Sequence, residues 1–460
     1  MGETPAKAGN VGINLTEGSI FKLLLRFAIP LLLANFVQQL YNTVDMIVIG
    51  QYVGNVGTVG VSTGGDIATM LTFVGTSLGT AGQIYIAQLS GARERQAIKE
   101  TIGTLISFSV LLSILFAAAC IVFCDPFLGW LNCPPEALGQ ARDYMVIVSL
   151  GLPFVFGYNA ICGALRGMGE SKRPLLFVSV AAVANLLLDL LLVAWIPLGA
   201  VGTAIATVAA QCASFLAAGV FLYRKREQFD ASFTAGFFRM RQEHLVVLLK
   251  LGIPLAAQSA LIHGTQLICA RHVNAFGLVA SATNSIGNKV QKLINILTNS
   301  LTSGAGAMVG QNLGARKLDR VRQIVGITMV LAAVFSGCAA IIAIFFPDQA
   351  FRLFTKDPEV IFFGRTYLRI ALIVFAIAPF QGSFGAVLTG SGFTQLNFIA
   401  GVLDGVVLRL GISFLFTYGL NMGVVGFFYG NALARLGPTI VSGSYYFSGK
   451  WKTRKLLHGK

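Results

Sequence analysis

The sequence predicts an all-α polytopic membrane protein with twelve transmembrane helices in two parallel six-helix repeats. Three observations carry this prediction. The chain is 55% apolar and only 12% charged, with a mean hydropathy of +0.74, whereas a soluble chain carries about 25% charged residues. Apolar runs of about 20 residues, enough to cross hydrocarbon as a helix, recur from end to end. Landmarks of the first half also return in the second at nearly one offset.

The runs fall near 20–49, 57–88, 101–124, 138–165, 174–195 and 199–222, then 246–273, 280–310, 324–346, 360–388, 394–418 and 423–448. Residues 1–18 are short and polar and lack the pattern of a cleaved leader, so the first run reads as a retained span. Pro30 sits mid-way in it and removes one backbone hydrogen bond, which makes it a candidate hinge. The long polar connection 223–245 follows the sixth run. It divides the chain into an N-terminal lobe, 1–222, a cytoplasmic linker, 223–245, and a C-terminal lobe, 246–460, which ends in a basic tail.

The repeat is read by position. Ile29-Pro30-Leu31 returns as Ile253-Pro254-Leu255, an offset of 224. Ser77 and Leu78, then Gln88, Gly91, Ala92 and Arg93, return as Ser300, Leu301, Gln311, Gly314, Ala315 and Arg316, an offset of 223. Tyr144 returns as Tyr367, and Gly167 and Gly169 as Gly390 and Gly392. Pro197 to Gly202 corresponds to Leu420 to Gly426 at 223 or 224. An offset of six spans keeps both halves in the same orientation, as in transporters whose halves are related by an axis along the membrane normal.

The net charge of +15 does not point to nucleic acid, because the cations cluster in short connections between spans. One side holds Lys22, Arg26, Arg93, Arg95, Lys99, Arg166, Lys172, Arg173, Arg224 to Arg226, Arg316, Lys317, Arg320, Arg322 and Lys450 to Lys455. The other holds Arg142, Arg271, Arg352 and Lys356. The positive-inside rule puts both termini in the cytoplasm of a multi-pass cell-membrane protein. The seven cysteines form no metal-ligand spacing and read as small core residues.

No P-loop and no His-Glu-x-x-His occurs, and Gly60-Val61-Ser62-Thr63-Gly64 opens an apolar helix rather than joining a strand to a helix. The chain therefore reads as a non-enzyme without a cofactor, a transporter that couples solute movement to an ion gradient. An intramembrane acid is costly and marks an ion or substrate path. Asp45, Asp66, Asp189 and Asp404 are the acids within spans. Asp45 and Asp189 lie at similar depth below the outer ends of two helices running the same way. Gln38 and Tyr41 share the face of Asp45, and Asn185 lies one turn from Asp189. Such oxygens suit a shared proton or Na⁺. The counterpart of Asp45 is Cys269, so this chemistry belongs to the first half alone.

The eighth span carries a polar stripe, Ser281, Asn284, Asn288, Lys292, Asn295, Asn299 and Thr302, in one narrow arc. Asn284, Asn288, Lys292, Asn295 and Asn299, with Gln38, are the candidate lining of a water-filled substrate cavity. Asp404 and Arg409, five residues apart, do not share a face of an α-helix, so their spacing gives no ground for claiming an ion pair.

In order, Pro30, Tyr41, Asp45 and Gly50, the Gln88 and Gln311 repeats, and Asn185, Asp189, Pro197 and Gly202 resemble the multidrug and toxic compound extrusion (MATE) family. The resemblance covers nearly the whole chain. It implies two six-helix lobes around a central cavity and export of drug-like, often cationic, compounds in exchange for H⁺ or Na⁺. It also implies a cation-coupling site at Asp45, Asn185, Asp189 and Thr207, with Tyr41 beside it. Those four would be the metal ligands only if Na⁺ is the coupling ion. Some relatives place acids on helices 7 and 10; here neither run has one, which puts a second cation site of that kind in doubt. The expected partners are small molecules and the bilayer, and the expected state is a monomer. A lipid-linked oligosaccharide flippase of the same superfamily is the alternative, opposed by the acidic site and kept open by Lys292. A membrane-embedded enzyme or receptor is the more distant one.

Overall fold

A computed structural model describes residues 12–131, 133–226, 236–454 and 457. Among the described residues the helices fall into twelve spans, and the chain forms two compact units. One is built on Leu33–Gly252 with the segment ending at Asn14; the other is built on Leu15–Leu32 and Ile253–Lys460.

The first unit begins within α1 (Ile20–Tyr52). It continues through α2 (Gly54–Ala92), α3 (Arg95–Val122), the short α4 (Cys124–Trp130), α5 (Leu138–Leu150) and α6 (Leu152–Gly167). Then come α7 (Lys172–Asp189), prolonged by a π-helical segment at Leu190–Trp195, and α8 (Gly199–Arg224). The unit ends in the first turns of α9 (Gln242–Asn274). Together α5 and α6 make the fourth span, bent by 43°. The bend falls beside Pro153, whose nitrogen cannot donate to the preceding turn. Glycines let α2 and α6 touch along their backbones: a Cβ on Gly163 would stand 2.0 Å from the Gly79 carbonyl oxygen.

The second unit takes the start of α1, the rest of α9, and α10 (Leu278–Gly314), α11 (Leu318–Phe345), α12 (Pro347–Arg352) and α13 (Pro358–Gly390). The eleventh span runs through α14 (Thr394–Val402), a π-helical segment at Leu403–Leu410, α15 (Gly411–Phe414) and a second π-helical segment at Leu415–Gly419. The twelfth is α16 (Val425–Leu433) and α17 (Leu436–Phe447), broken at Ala434 and Arg435; α18 (Lys450–Thr453) follows. Asp357 caps α13 by accepting from the backbone N–H groups of Glu359 and Val360, a cap that stabilises by about 1 kcal/mol. Arg365 donates twice to Asp348, at 2.6 Å each. The core holds Phe351, Tyr367, Phe375, Phe427 and Phe428.

The repeat persists in backbone detail. After α2 and after α10 the chain turns at Arg93 and Arg316, with φ of 62° and 55°. The following N–H bonds back to Leu89 in one case and to Asn312 in the other, the arrangement that closes a helix with a left-handed residue. Both helices that open a half change units at their proline. The unit boundary in α1 falls between Leu32 and Leu33, and that in α9 between Gly252 and Ile253. All seven cysteines are free, and Cys120, Cys124, Cys162 and Cys269 are buried, whereas Cys338 is exposed.

Candidate functional site

In the first unit four helices converge on two acids. α1 supplies Tyr41 and Asp45, α5 supplies Tyr144, α7 supplies Asn185 and Asp189, and α8 supplies Thr207. Asp189 is the last α-helical residue before the π-helical segment. Such segments widen the turn and often accompany functional sites. Asn185 and Asp189 are 2% and 1% exposed, while Tyr41, Asp45 and Thr207 are half-buried. The site is therefore sealed on the α7 side and approachable on the α1 side.

The carboxyl groups of Asp45 and Asp189 lie within hydrogen-bonding reach of each other. Two carboxylates cannot approach this closely as bare anions; a cation must sit between them, a proton or a metal ion. Each acid keeps one buried oxygen, Oδ1, without a hydrogen-bond partner, and Asn185 Nδ2 is likewise unpartnered. Tyr41 lies within electrostatic range of both acids. The Tyr144 hydroxyl and Thr207 are hydrogen-bonded, and Tyr144 faces Asp45, Tyr41 and Asp189. Unsatisfied oxygens with a hydroxyl close by fit the oxygen preference of a hard cation. Sequence reasoning passed over Tyr144 as a site residue, although the repeat had marked the position. Its ring is held by Gly65, whose added Cβ would lie 3.3 Å from it.

Gln38 is exposed on α1 and is not among the groups gathered at the acids. The α10 stripe lies in the second unit. Asn288, Lys292 and Asn299 are exposed and Asn295 is half-buried, whereas Asn284 is buried with its Oδ1 unpartnered. Asn288 accepts a hydrogen bond from Tyr367 at 3.0 Å. The reading that Asp404 and Arg409 do not share a face is corrected: Arg409 donates to Asp404 Oδ1 at 2.5 Å, and both are buried. The reason is local. The segment Leu403–Leu410 is π-helical, and its i→i+5 bonding stacks residues five apart that an α-helix would separate.

The sequence pattern of the MatE family matches residues 30–191 and again residues 254–415. The probable multidrug resistance proteins YoeA and YpnP of Bacillus subtilis are similar throughout. The first is 26% identical over 448 residues, 96% of each chain. The second is 28% identical over 451 residues, 97% of this chain and 99% of that protein. A MOP-superfamily transporter from Pyrococcus furiosus superposes with a TM-score of 0.88 at 20% identity, covering 98% of this chain and 100% of that one. A mutant of the Vibrio cholerae MATE transporter VcmN does so with a TM-score of 0.85 at 20% identity, covering 95% and 99%.

Proposed function

Because the chain belongs to the MatE family of membrane transporters, we propose that it is a secondary active exporter of drug-like, often cationic, compounds, driven by exchange for H⁺ or Na⁺. The observation that carries this reading is the approach of Asp45 to Asp189 inside one unit, with an unpartnered oxygen on each. The pair holds the coupling cation. Without it, the pair is a negative site that favours a cationic cargo. Occupation by ion and by cargo are then alternatives, which is the condition for exchange. The names of the relatives, multidrug resistance and multidrug export proteins, support the cargo class. Asn185 and Thr207 complete the oxygen set, and Tyr41 and Tyr144 wall it. The exposed Asn288, Lys292 and Asn299 of α10 line the cargo path.

Access alternates between the two faces of the membrane, and Pro30 is the hinge of α1. The unit boundary two residues beyond Pro30 supports that role. The loop charges put both termini in the cytoplasm and Asp45 in the outer half of its span. The test is uptake of a cationic dye into liposomes holding the purified protein, with pH and Na⁺ gradients imposed separately. Transport driven by one gradient identifies the ion; transport indifferent to both overturns the reading.

A further inference from the structure

The offset relating the two halves lays a second polar cluster over the first. At 224 residues Asp45 maps to Cys269, Asn185 to Arg409, Asp189 to Ser413, Thr207 to Asn431 and Gln211 to Arg435; Tyr144 maps to Tyr367 at 223. These counterparts also meet, inside the second unit. Arg409 donates to Asn431 Oδ1 at 2.8 Å and to Asp404 Oδ1 at 2.5 Å. The Cys269 thiol is within hydrogen-bonding reach of Ser413 and close to Arg409. Arg435, at the break between α16 and α17, lies within electrostatic range of Asp404, Arg409 and Tyr367. His263 is within range of Arg409 and Lys292.

The tyrosine is retained and the charge is reversed. The first cluster has two acids; the second has two guanidinium groups against one carboxylate, Asp404, which has an apolar counterpart, Val180. Arg409 is 4% exposed and already holds Asp404, yet its Nε is buried without a hydrogen-bond partner. Arg435 is half-buried, and its guanidinium has neither a hydrogen bond nor an ion pair among the described residues. Two guanidinium groups that share one carboxylate leave excess positive charge within the spans, which is costly and marks a site of function. A guanidinium is the side chain best shaped for carboxylate and phosphate oxygens.

We propose that Arg435 and Arg409, with Asn431 and Ser413 around them, form an oxyanion site that takes a carboxylate or phosphate group. The site is separate from the acid pair and does not rest on the cation-coupling reading, since it is tested by equilibrium binding. The purified full-length protein in neutral detergent is titrated calorimetrically with inorganic phosphate, benzoate and dihexanoyl phosphatidate at constant ionic strength. Wild type binds at least one of the three. Arg435→Gln weakens that binding ten-fold or more, Arg435→Lys weakens it less, and Arg142→Gln, which removes an exposed cation elsewhere, leaves it unchanged. Asn431→Asp, which sets a competing carboxylate beside Arg409, is the second variant and also weakens binding. Binding of phosphatidate alone identifies a lipid headgroup as the source of the oxyanion; binding of phosphate or benzoate identifies a soluble one. The proposal is overturned if no probe binds wild type, or if Arg435→Gln and Asn431→Asp both retain wild-type affinity.

Discussion

Replacing Asp189 with Asn tests the acid pair most directly, because the amide keeps the shape of the carboxyl and removes one charge. Asp189 is 1% exposed and lies within hydrogen-bonding reach of Asp45. Two like charges about 4 Å apart, at an effective dielectric of about 20, repel by about 4 kcal/mol. A bridging cation relieves that repulsion, so the pair should hold it about three orders of magnitude more tightly than a lone carboxylate does. Asp189→Asn leaves Asp45 as a lone carboxylate, able to stay ionised without a partner cation. The expected outcome is loss of gradient-driven dye efflux from membrane vesicles at matched expression, with dye binding weakened rather than abolished. Asp45→Asn should behave alike, and the double variant should be no worse than either single one. Full gradient-driven efflux by both single variants would refute the reasoning.

Four further outcomes follow from the geometry. Asp404→Ala strands the buried Arg409 guanidinium and should destabilise the protein by about 3–5 kcal/mol, while replacing Asp404 and Arg409 together by leucine should recover most of it; denaturant melts in detergent measure both. Pro30→Ala restores a backbone hydrogen bond in α1 and should slow transport with little change in dye affinity, read from initial rates over a range of dye concentrations. Gly163→Ala forces a Cβ against the Gly79 carbonyl and should cost about 1–3 kcal/mol through overpacking, seen as a lowered melting temperature. Asp348 lies outside the spans, and hydrogen bonds from Arg365 hold its carboxyl below the ordinary carboxylate value. Such a group stabilises above its ordinary value and stops doing so as pH falls through the shifted one. The melting-temperature gap between wild type and Asp348→Asn should therefore be full near neutrality and close below about pH 4.

The spans were legible because hydrocarbon imposes length and apolarity on every helix that crosses it. The exceptions are instructive. Among the described residues, eight helices pass as spans on length and composition alone, or nine with the bent pair. The twelfth is broken into two short helices, α16 and α17, and α2 and α10 carry the Gly, Ser, Thr and Asn residues that close packing and a polar face require. The repeat was legible down to a turn residue, since Arg93 and Arg316 share a left-handed backbone. Tyr144 was visible only as a repeat landmark, because linear spacing does not say which helices are neighbours.

By itself the sequence determined the class of molecule, its two-fold repetition, and the confinement of Asp45 and Asp189 to one half, because bilayer length, proline positions and intramembrane charge are written locally. Only the tertiary structure decided which side chains meet. It set Asp45 against Asp189 across two helices, brought Tyr144 to them from a third, and joined Asp404 to Arg409 through a π-helical segment that an α-helical reading excludes. Contact between helices depends on packing and on the exact residues per turn, and neither follows from a period counted along the chain.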